Sequence, residues 1–307
     1  MRDKFIERLT LLAGGNPNIL LVTGDLGFGV FDKFRKDLPD QFINAGIAEQ
    51  NMTGLAVGLA IEGKIVFTYS IANFSTLRCL EQIRNDACYH EANVKVVSVG
   101  GGFSYGALGI SHHATEDITI MRSLPNLSVV SPCGLWEAAE AASALVKQPG
   151  TCYLRLDKSY GNDNPYPNEK YLLGKARILS DGGDCTVIVT GGILGEVQQA
   201  AKIMEKQGIS LTVLSMHTIV PFDKEAVLHA AYKTGGIVTV EENTIHGGLG
   251  GAVSETLMDA GVFPGFFLRI GLEAGFSSVV GSQKYLRKIY GMDAWHIAER
   301  IMKKLNE

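Results

Sequence analysis

Five neighbourhoods of the sequence hold side chains that could do chemistry. Glu49 lies in Asn44-Ala-Gly-Ile-Ala-Glu-Gln-Asn51, after a strand-like Phe42-Ile-Asn and at the start of an apolar helix rich in small residues (Gly54, Ala56, Gly58, Ala60). A carboxylate in a first helical turn is served by the helix dipole alone. Phe74, in Ala72-Asn-Phe-Ser-Thr-Leu-Arg78, follows 25 residues later. It reads either as a core ring at a strand-to-helix corner or as a platform for a flat heterocycle, with Tyr69 or Phe67 as alternative platforms. His112 and His113 sit in a glycine-containing loop, Gly106-Ala-Leu-Gly-Ile-Ser-His-His-Ala-Thr-Glu-Asp117, where an imidazole could donate to a developing alkoxide. Asp25, in Thr23-Gly-Asp-Leu-Gly27, is a site acid or a turn residue. Arg155, in Tyr153-Leu-Arg-Leu-Asp157, could hold an anion or pair with Asp157.

These residues must be positioned by an α/β framework. Short β-branched runs at 19–23, 65–68, 94–99, 127–131 and 152–156 alternate with helical periodicity near 48–61, 74–91 and 134–147. Runs apolar throughout predict strands covered on both faces, hence a mainly parallel sheet. A polar, proline-containing stretch, Gly161-Asn-Asp-Asn-Pro-Tyr-Pro-Asn168, reads as a linker. Beyond it the alternation resumes, with strands expected at 185–190, 211–215, 237–240 and 266–269. The expected fold class is therefore α/β, with two doubly wound, mainly parallel-sheet domains at 1–162 and 176–307 and a linker at 163–175. Sites in such sheets lie at the carboxyl ends of the strands. The loops around 24–30, 44–50, 69–74 and 100–113 should then hold the chemistry.

The totals agree with a folded enzyme. Of 307 residues, 46% are apolar and 20% charged, ample for two cores. A net charge of −4 gives no electrostatic reason to expect nucleic acid or an anionic membrane. Five dispersed cysteines without a CxxC pair read as reduced thiols of a cytoplasmic protein. No apolar run has the length of a membrane span, and residues 1–14 are too charged for a signal peptide. No window fits G-x-G-x-x-G, which argues against a dinucleotide-binding oxidoreductase.

Gly46-Ile-Ala-Glu-Gln50 resembles the segment that carries the catalytic glutamate of transketolases and deoxyxylulose-phosphate synthases. The likeness continues through Phe74 and the Ser111-His112-His113 segment into Met216-His-Thr-Ile-Val-Pro-Phe-Asp223 and Val240-Glu-Glu-Asn-Thr-Ile-His-Gly-Gly-Leu-Gly250. It therefore spans nearly the whole chain and implies a transketolase pyrimidine-binding domain followed by a transketolase C-terminal domain. The implied cofactor is thiamine diphosphate, whose aminopyrimidine becomes a base when a carboxyl group shares a proton with its ring nitrogen N1′. By this resemblance Glu49 would be that carboxyl and Phe74 the stacking ring. His112, rather than His113, would face the reacting carbons. Asp25 would lie near the cofactor, and Arg155 would hold a substrate phosphate.

The resemblance also predicts what lies elsewhere. These enzymes hold the cofactor diphosphate through a divalent ion on a Gly-Asp-Gly segment and an asparagine, ligands suited to a hard cation. Gly24-Asp-Leu-Gly27 lacks the middle glycine. The diphosphate and its Mg2+ (or Ca2+) are thus expected on a separate N-terminal subunit, in an α2β2 assembly, with no metal held by this chain. The implied reaction moves a two-carbon ketol unit from a ketose donor to an aldehyde acceptor. Leu108 replaces a family aspartate that reads a sugar hydroxyl, and no basic residue stands at 100–102. Simple pentulose phosphates are accordingly not the expected substrates, and a modified or nucleotide-linked sugar stays open. Asn73-Phe-Ser and Glu81-Gln-Ile-Arg-Asn85 also resemble the β subunits of 2-oxo-acid decarboxylases and dehydrogenases. That alternative, half of a deoxyxylulose-phosphate-synthase-like enzyme, and a silent scaffold are the competing readings. Retention of acid, ring and histidine together opposes the last.

Overall fold

The computed structural model describes residues 1–273 and 275–307. The first apolar runs form strands β1 (Ile19–Thr23), β2 (Phe42–Asn44), β3 (Ile65–Ile71), β4 (Val94–Val99), β5 (Leu127–Val130) and β6 (Thr151–Leu156). All six are parallel, in the order β5-β6-β4-β3-β1-β2. Side chains alternate between the two faces, as the strand period requires. Ile19, Leu21, Phe67 and Tyr69 pack with Phe5, Leu9, Ala138 and Ala141 from helices Arg2–Gly14 and Leu135–Lys147. Leu20, Val22 and Val66 pack on the opposite face with Met52, Ala56 and Val57 of helix Glu49–Ile61.

The second half forms β7 (Arg177–Ser180), β8 (Cys185–Val189), β9 (Leu211–Ser215), β10 (Thr218–Val220), β11 (Gly236–Thr244) and β12 (Phe266–Leu272). Its sheet runs β12-β11-β8-β9-β7, parallel except for the antiparallel edge strand β7. Strand β10 leaves this domain and pairs antiparallel with β5, becoming the seventh strand of the first sheet. The apolar core is continuous across that joint. Ile118, Met121 and Val129 share it with Leu214, Ile219, Ile237 and Leu249.

Two expectations change. Strands β7 and β10 are additions to the expected set, because four and three residues at sheet edges leave almost no periodic signal. The continuous helix expected over 74–91 is broken. A single turn, Ala72–Ser75, is followed by a 3-10 turn at Leu77–Cys79, a short helical turn at Leu80–Gln82 and a wide π turn over Ile83–Cys88. The break at Thr76 (φ −110°) reorients the chain between Phe74 and Arg78.

Candidate active site

Glu49 is placed by two loops that leave the carboxyl edge of the first sheet. After β2 the chain turns at Gly46, whose φ of +74° suits glycine. The Asn44 carboxamide fastens this turn to the loop after β1. Its Oδ1 accepts from Gly46 N and Asp25 N, both at 3.0 Å, and its Nδ2 donates to Asp25 Oδ1 at 2.9 Å. Glu49 then opens its helix with 3% of its surface exposed. Ser70 Oγ, near the end of β3, donates to Glu49 Oε1 at 3.2 Å, and Arg78 Nη1 donates to Oε2 at 3.2 Å. The carboxylate thus points to the sheet edge and not into the helix dipole alone.

Phe74 and His112 stand beside it. The Phe74 ring meets the His112 ring edge-on at 5.1 Å, and the Arg78 guanidinium carbon lies 4.4 Å above the Phe74 ring. Asn73 fixes this meeting. Its Nδ2 donates to the carbonyls of Ile110 (3.4 Å), Ser111 (3.3 Å) and His113 (2.9 Å), clamping the histidine loop onto the turn that carries Phe74. His112 Nδ1 is 2.9 Å from Ser111 Oγ. Partial burial, and then the neighbouring His113, lower the pKa of His112 and favour its neutral form. His113 is buried. Its Nε2–H donates to Gly106 O at 2.9 Å, which makes it a strut of the loop.

The structure therefore gathers Glu49, Phe74 and His112 and sets Asp25 one residue from Gly24, which abuts the Glu49 side chain. Asp25 itself is exposed, at φ +57°. Arg155 is not gathered. It is 1% exposed, with Nε 2.8 Å from Asp117 Oδ2 and Nη1 3.6 Å from Asp157 Oδ1. Its Nη2 donates to the carbonyls of Ala114 and Glu242. Its charge is compensated inside the chain, where it ties the first sheet to β11, and Nη1 alone is left without a hydrogen bond.

Three groups at the site edge escape a reading of the sequence. Asn73 and Arg78 lie within the segment singled out for Phe74, but nothing in their types marks them. Lys158 lies just beyond β6, exposed, with Nζ 3.8 Å above the Tyr105 ring, and Tyr105 is 6.1 Å from the His112 ring. Arg2, Lys4 and Lys158 line a common cavity of about 530 Å³ with Asp3, Asp157 and Tyr160. The glycines at 100–102 make room beside it. Gly100, at φ +96°, is covered by the Tyr105 ring, and a Cβ on Gly101 would run into Asp157 and come within 2.7 Å of Arg155. Among the described residues no group of three or more His, Cys, Asp or Glu side chains could hold a metal ion. No helix among them is long and apolar enough to cross a membrane. The five cysteines are unpaired and buried.

The architecture is that of the two C-terminal domains of a transketolase-type enzyme, with the acid, the ring and the histidine on the edge of the first. Residues 1–162 match the family model "Transketolase, pyrimidine binding domain", and residues 174–297 match "Transketolase, C-terminal domain". The chain belongs to the transketolase family, as the C-terminal subunit of a split enzyme. It is 40% identical to an apulose-4-phosphate transketolase subunit of Phocaeicola vulgatus, over 84% of this chain and 83% of that one. It is 35% identical to the 6-deoxy-6-sulfo-D-fructose transketolase subunit SqwH of a Clostridium species, over 97% and 92%. Among solved structures, a split-gene transketolase in an inactive β4 tetramer superposes with a TM-score of 0.88 at 32% identity, covering 99% and 97% of the two chains.

Proposed function

We propose that this chain forms the pyrimidine half of a thiamine-diphosphate-dependent transketolase, which moves a two-carbon ketol unit from a ketose to an aldehyde. The observation that carries the reading is the buried Glu49 carboxylate, held at the sheet edge within reach of the same guanidinium that covers the Phe74 ring. The residues fit one end of such a cofactor. Glu49 would share a proton with the pyrimidine nitrogen, Phe74 would support the ring, and Asp25 would stand near its rim. The bound cofactor supplies a carbanion that the side chains of a protein cannot provide. His112, neutral and half-buried, would donate to and accept from substrate oxygens. The diphosphate and its divalent ion fall to a separate N-terminal subunit, in an α2β2 assembly.

Arg2 and Lys158 extend the reading to the substrate. Arg2, Lys4 and Lys158 share a cavity beside Tyr105 with Asp3 and Asp157, and Arg2 is paired with Asp3 at 2.8 Å, which leaves Lys158, its pKa lowered by burial and then by Arg2, as the cation best placed to meet a ligand. Lys158, with Arg2, suits the anionic end of a sugar, phosphate or sulfonate, better than Arg155, which is buried and paired with Asp117. The names of the two relatives, one for a phosphorylated and one for a sulfonated ketose, are compatible with such a tail.

The test is co-purification with a chain that carries a Gly-Asp-Gly segment, followed by thiamine diphosphate, magnesium and a panel of ketoses and aldehydes. Glu49→Gln is expected to abolish nearly all turnover while the complex still assembles. Near-normal turnover in that variant would remove Glu49 from the mechanism. Release of carbon dioxide from pyruvate, without ketol transfer, would replace the proposed reaction with a 2-oxo-acid decarboxylase.

A further inference from the structure

Arg78 stands where the cofactor ring would have to be. A pyrimidine served by Glu49 and Phe74 must lie against the Phe74 face and present a nitrogen to the Glu49 carboxylate. The Arg78 guanidinium does both. It is flat, its carbon sits 4.4 Å above the ring, and its Nη1 is 3.2 Å from Glu49 Oε2. Its side chain is 48% exposed, against 3% for the carboxylate it meets, and it makes no other side-chain hydrogen bond or ion pair among the described residues. A planar cation with N–H groups in its plane mimics the edge and the faces of a protonated aminopyrimidine.

We propose that Arg78 is a built-in placeholder for the cofactor's pyrimidine, closing the seat in the empty subunit and swinging out when the cofactor enters. The inference rests on the reading of Glu49 and Phe74 given above. In the empty state Arg78 compensates a buried carboxylate that would otherwise be unpaired, and it covers an aromatic face that would otherwise be wet. Its long, half-exposed stem lets it leave toward solvent without disturbing packed residues. Thr76, which breaks the helical path between Phe74 and Arg78, folds the guanidinium back over the ring. The cofactor therefore competes with a tethered side chain, and its apparent dissociation constant is raised by the fraction of time the seat is closed.

An ion pair and a cation–π contact made by a half-exposed guanidinium together close the seat by roughly fivefold to thirtyfold. The measurement is binding of thiamine diphosphate with magnesium to the assembled two-subunit enzyme, by calorimetry and stopped-flow fluorescence, with no turnover. Arg78→Ala is expected to tighten binding by that factor, mainly through faster association. Arg84→Ala, which removes an exposed charge nearby, should leave binding unchanged. Glu49→Gln should weaken it. If Arg78→Ala weakens binding or leaves it unaltered while Glu49→Gln weakens it, the seat is correctly placed and the placeholder is refuted. If neither variant changes binding, the seat itself is misplaced and the proposal falls with it. Arg78→Met, which keeps the apolar stem, decides the matter should the alanine variant not assemble.

Discussion

His217 should make the joint between the two domains sensitive to acid. Its ring is closed to solvent and stacked on Tyr171, with centroids 4.2 Å apart and planes at 25°. Nδ1 is 2.8 Å from Thr218 Oγ1, and Nε2 has no hydrogen-bond partner among the described residues. Burial first, and the Arg177 guanidinium second, push its pKa down from 6.5 to about 3. The folded chain thus requires the neutral ring, whereas the unfolded chain takes up a proton near the ordinary histidine value. With the folded pKa depressed, this stability is fully present above the unfolded value and drains away as pH falls toward the folded one. The linkage relation gives a loss of about 2 kcal/mol at pH 5 and about 4 kcal/mol by pH 3.

The loss should be read by urea unfolding at pH 7.5 and 5.0, comparing the parent chain with His217→Phe and His217→Asn. Carboxylates titrate in all three, so the difference between parent and variant isolates the imidazole. The parent should lose about 2 kcal/mol more than the phenylalanine variant across that interval. Because the His217 carbonyl accepts from Ser131 N at 2.8 Å, just beyond β5, and the next residue opens β10, amide exchange should rise first along that pair of strands. Equal pH dependence in parent and both variants would refute the reasoning.

Other substitutions separate structural from chemical roles. Arg155→Met should cost about 3–5 kcal/mol in unfolding experiments, because Asp117 and Asp157 are left without a cation, and should leave KM little changed in the protein that folds. Lys158→Ala should instead raise KM for an anionic sugar roughly tenfold or more at unchanged thermal stability. Asn73→Ala frees the histidine loop from Phe74 and should lower kcat by roughly tenfold to a hundredfold, with a smaller change in cofactor affinity. Gly101→Ala should destabilise the chain by about 1–3 kcal/mol, since its methyl group would intrude on Asp157 and Arg155.

What is legible in the sequence follows from how each feature is encoded. Strands buried on both faces, such as β4 and β8, write themselves as unbroken aliphatic runs, so the two-sheet frame and the loops at its carboxyl edge can be foreseen. Helix Glu49–Ile61 can be foreseen too, because a 13-residue, mostly apolar segment rich in small residues is longer than a buried strand. Strand β10 cannot. Three residues carry no period, and their place at the edge of the other domain's sheet is settled by packing between distant segments. The broken path from Ala72 to Cys88 also keeps a helix-like pattern of apolar residues, while its turns are set by contacts such as the thiol of Cys79 donating to Phe74 O.

The different surroundings of Arg155 and Lys158 share one physical cause. Arg155 resembles a substrate ligand because it stands near the end of a strand, yet it falls inside β6, which is covered on both faces, so its charge has to find partners within the protein. Lys158, three residues later, lies past the last sheet pairing and is the cation that reaches the sheet edge. The missing basic residues at 100–102 suggest a substrate without a simple phosphate. The structure gives a different reason for glycine there: Tyr105, Asp157, Arg155 and Glu242 occupy the space that side chains would need. Glycine at 100 and 101 is thus accounted for by packing within the first domain, and at 102 by the approach of Glu242 from the second. Lys158 and Arg2 are drawn to one cavity from ends of the domain 156 residues apart, so the Lys158→Ala comparison of KM for anionic and neutral sugars decides whether the proposed anion seat is there.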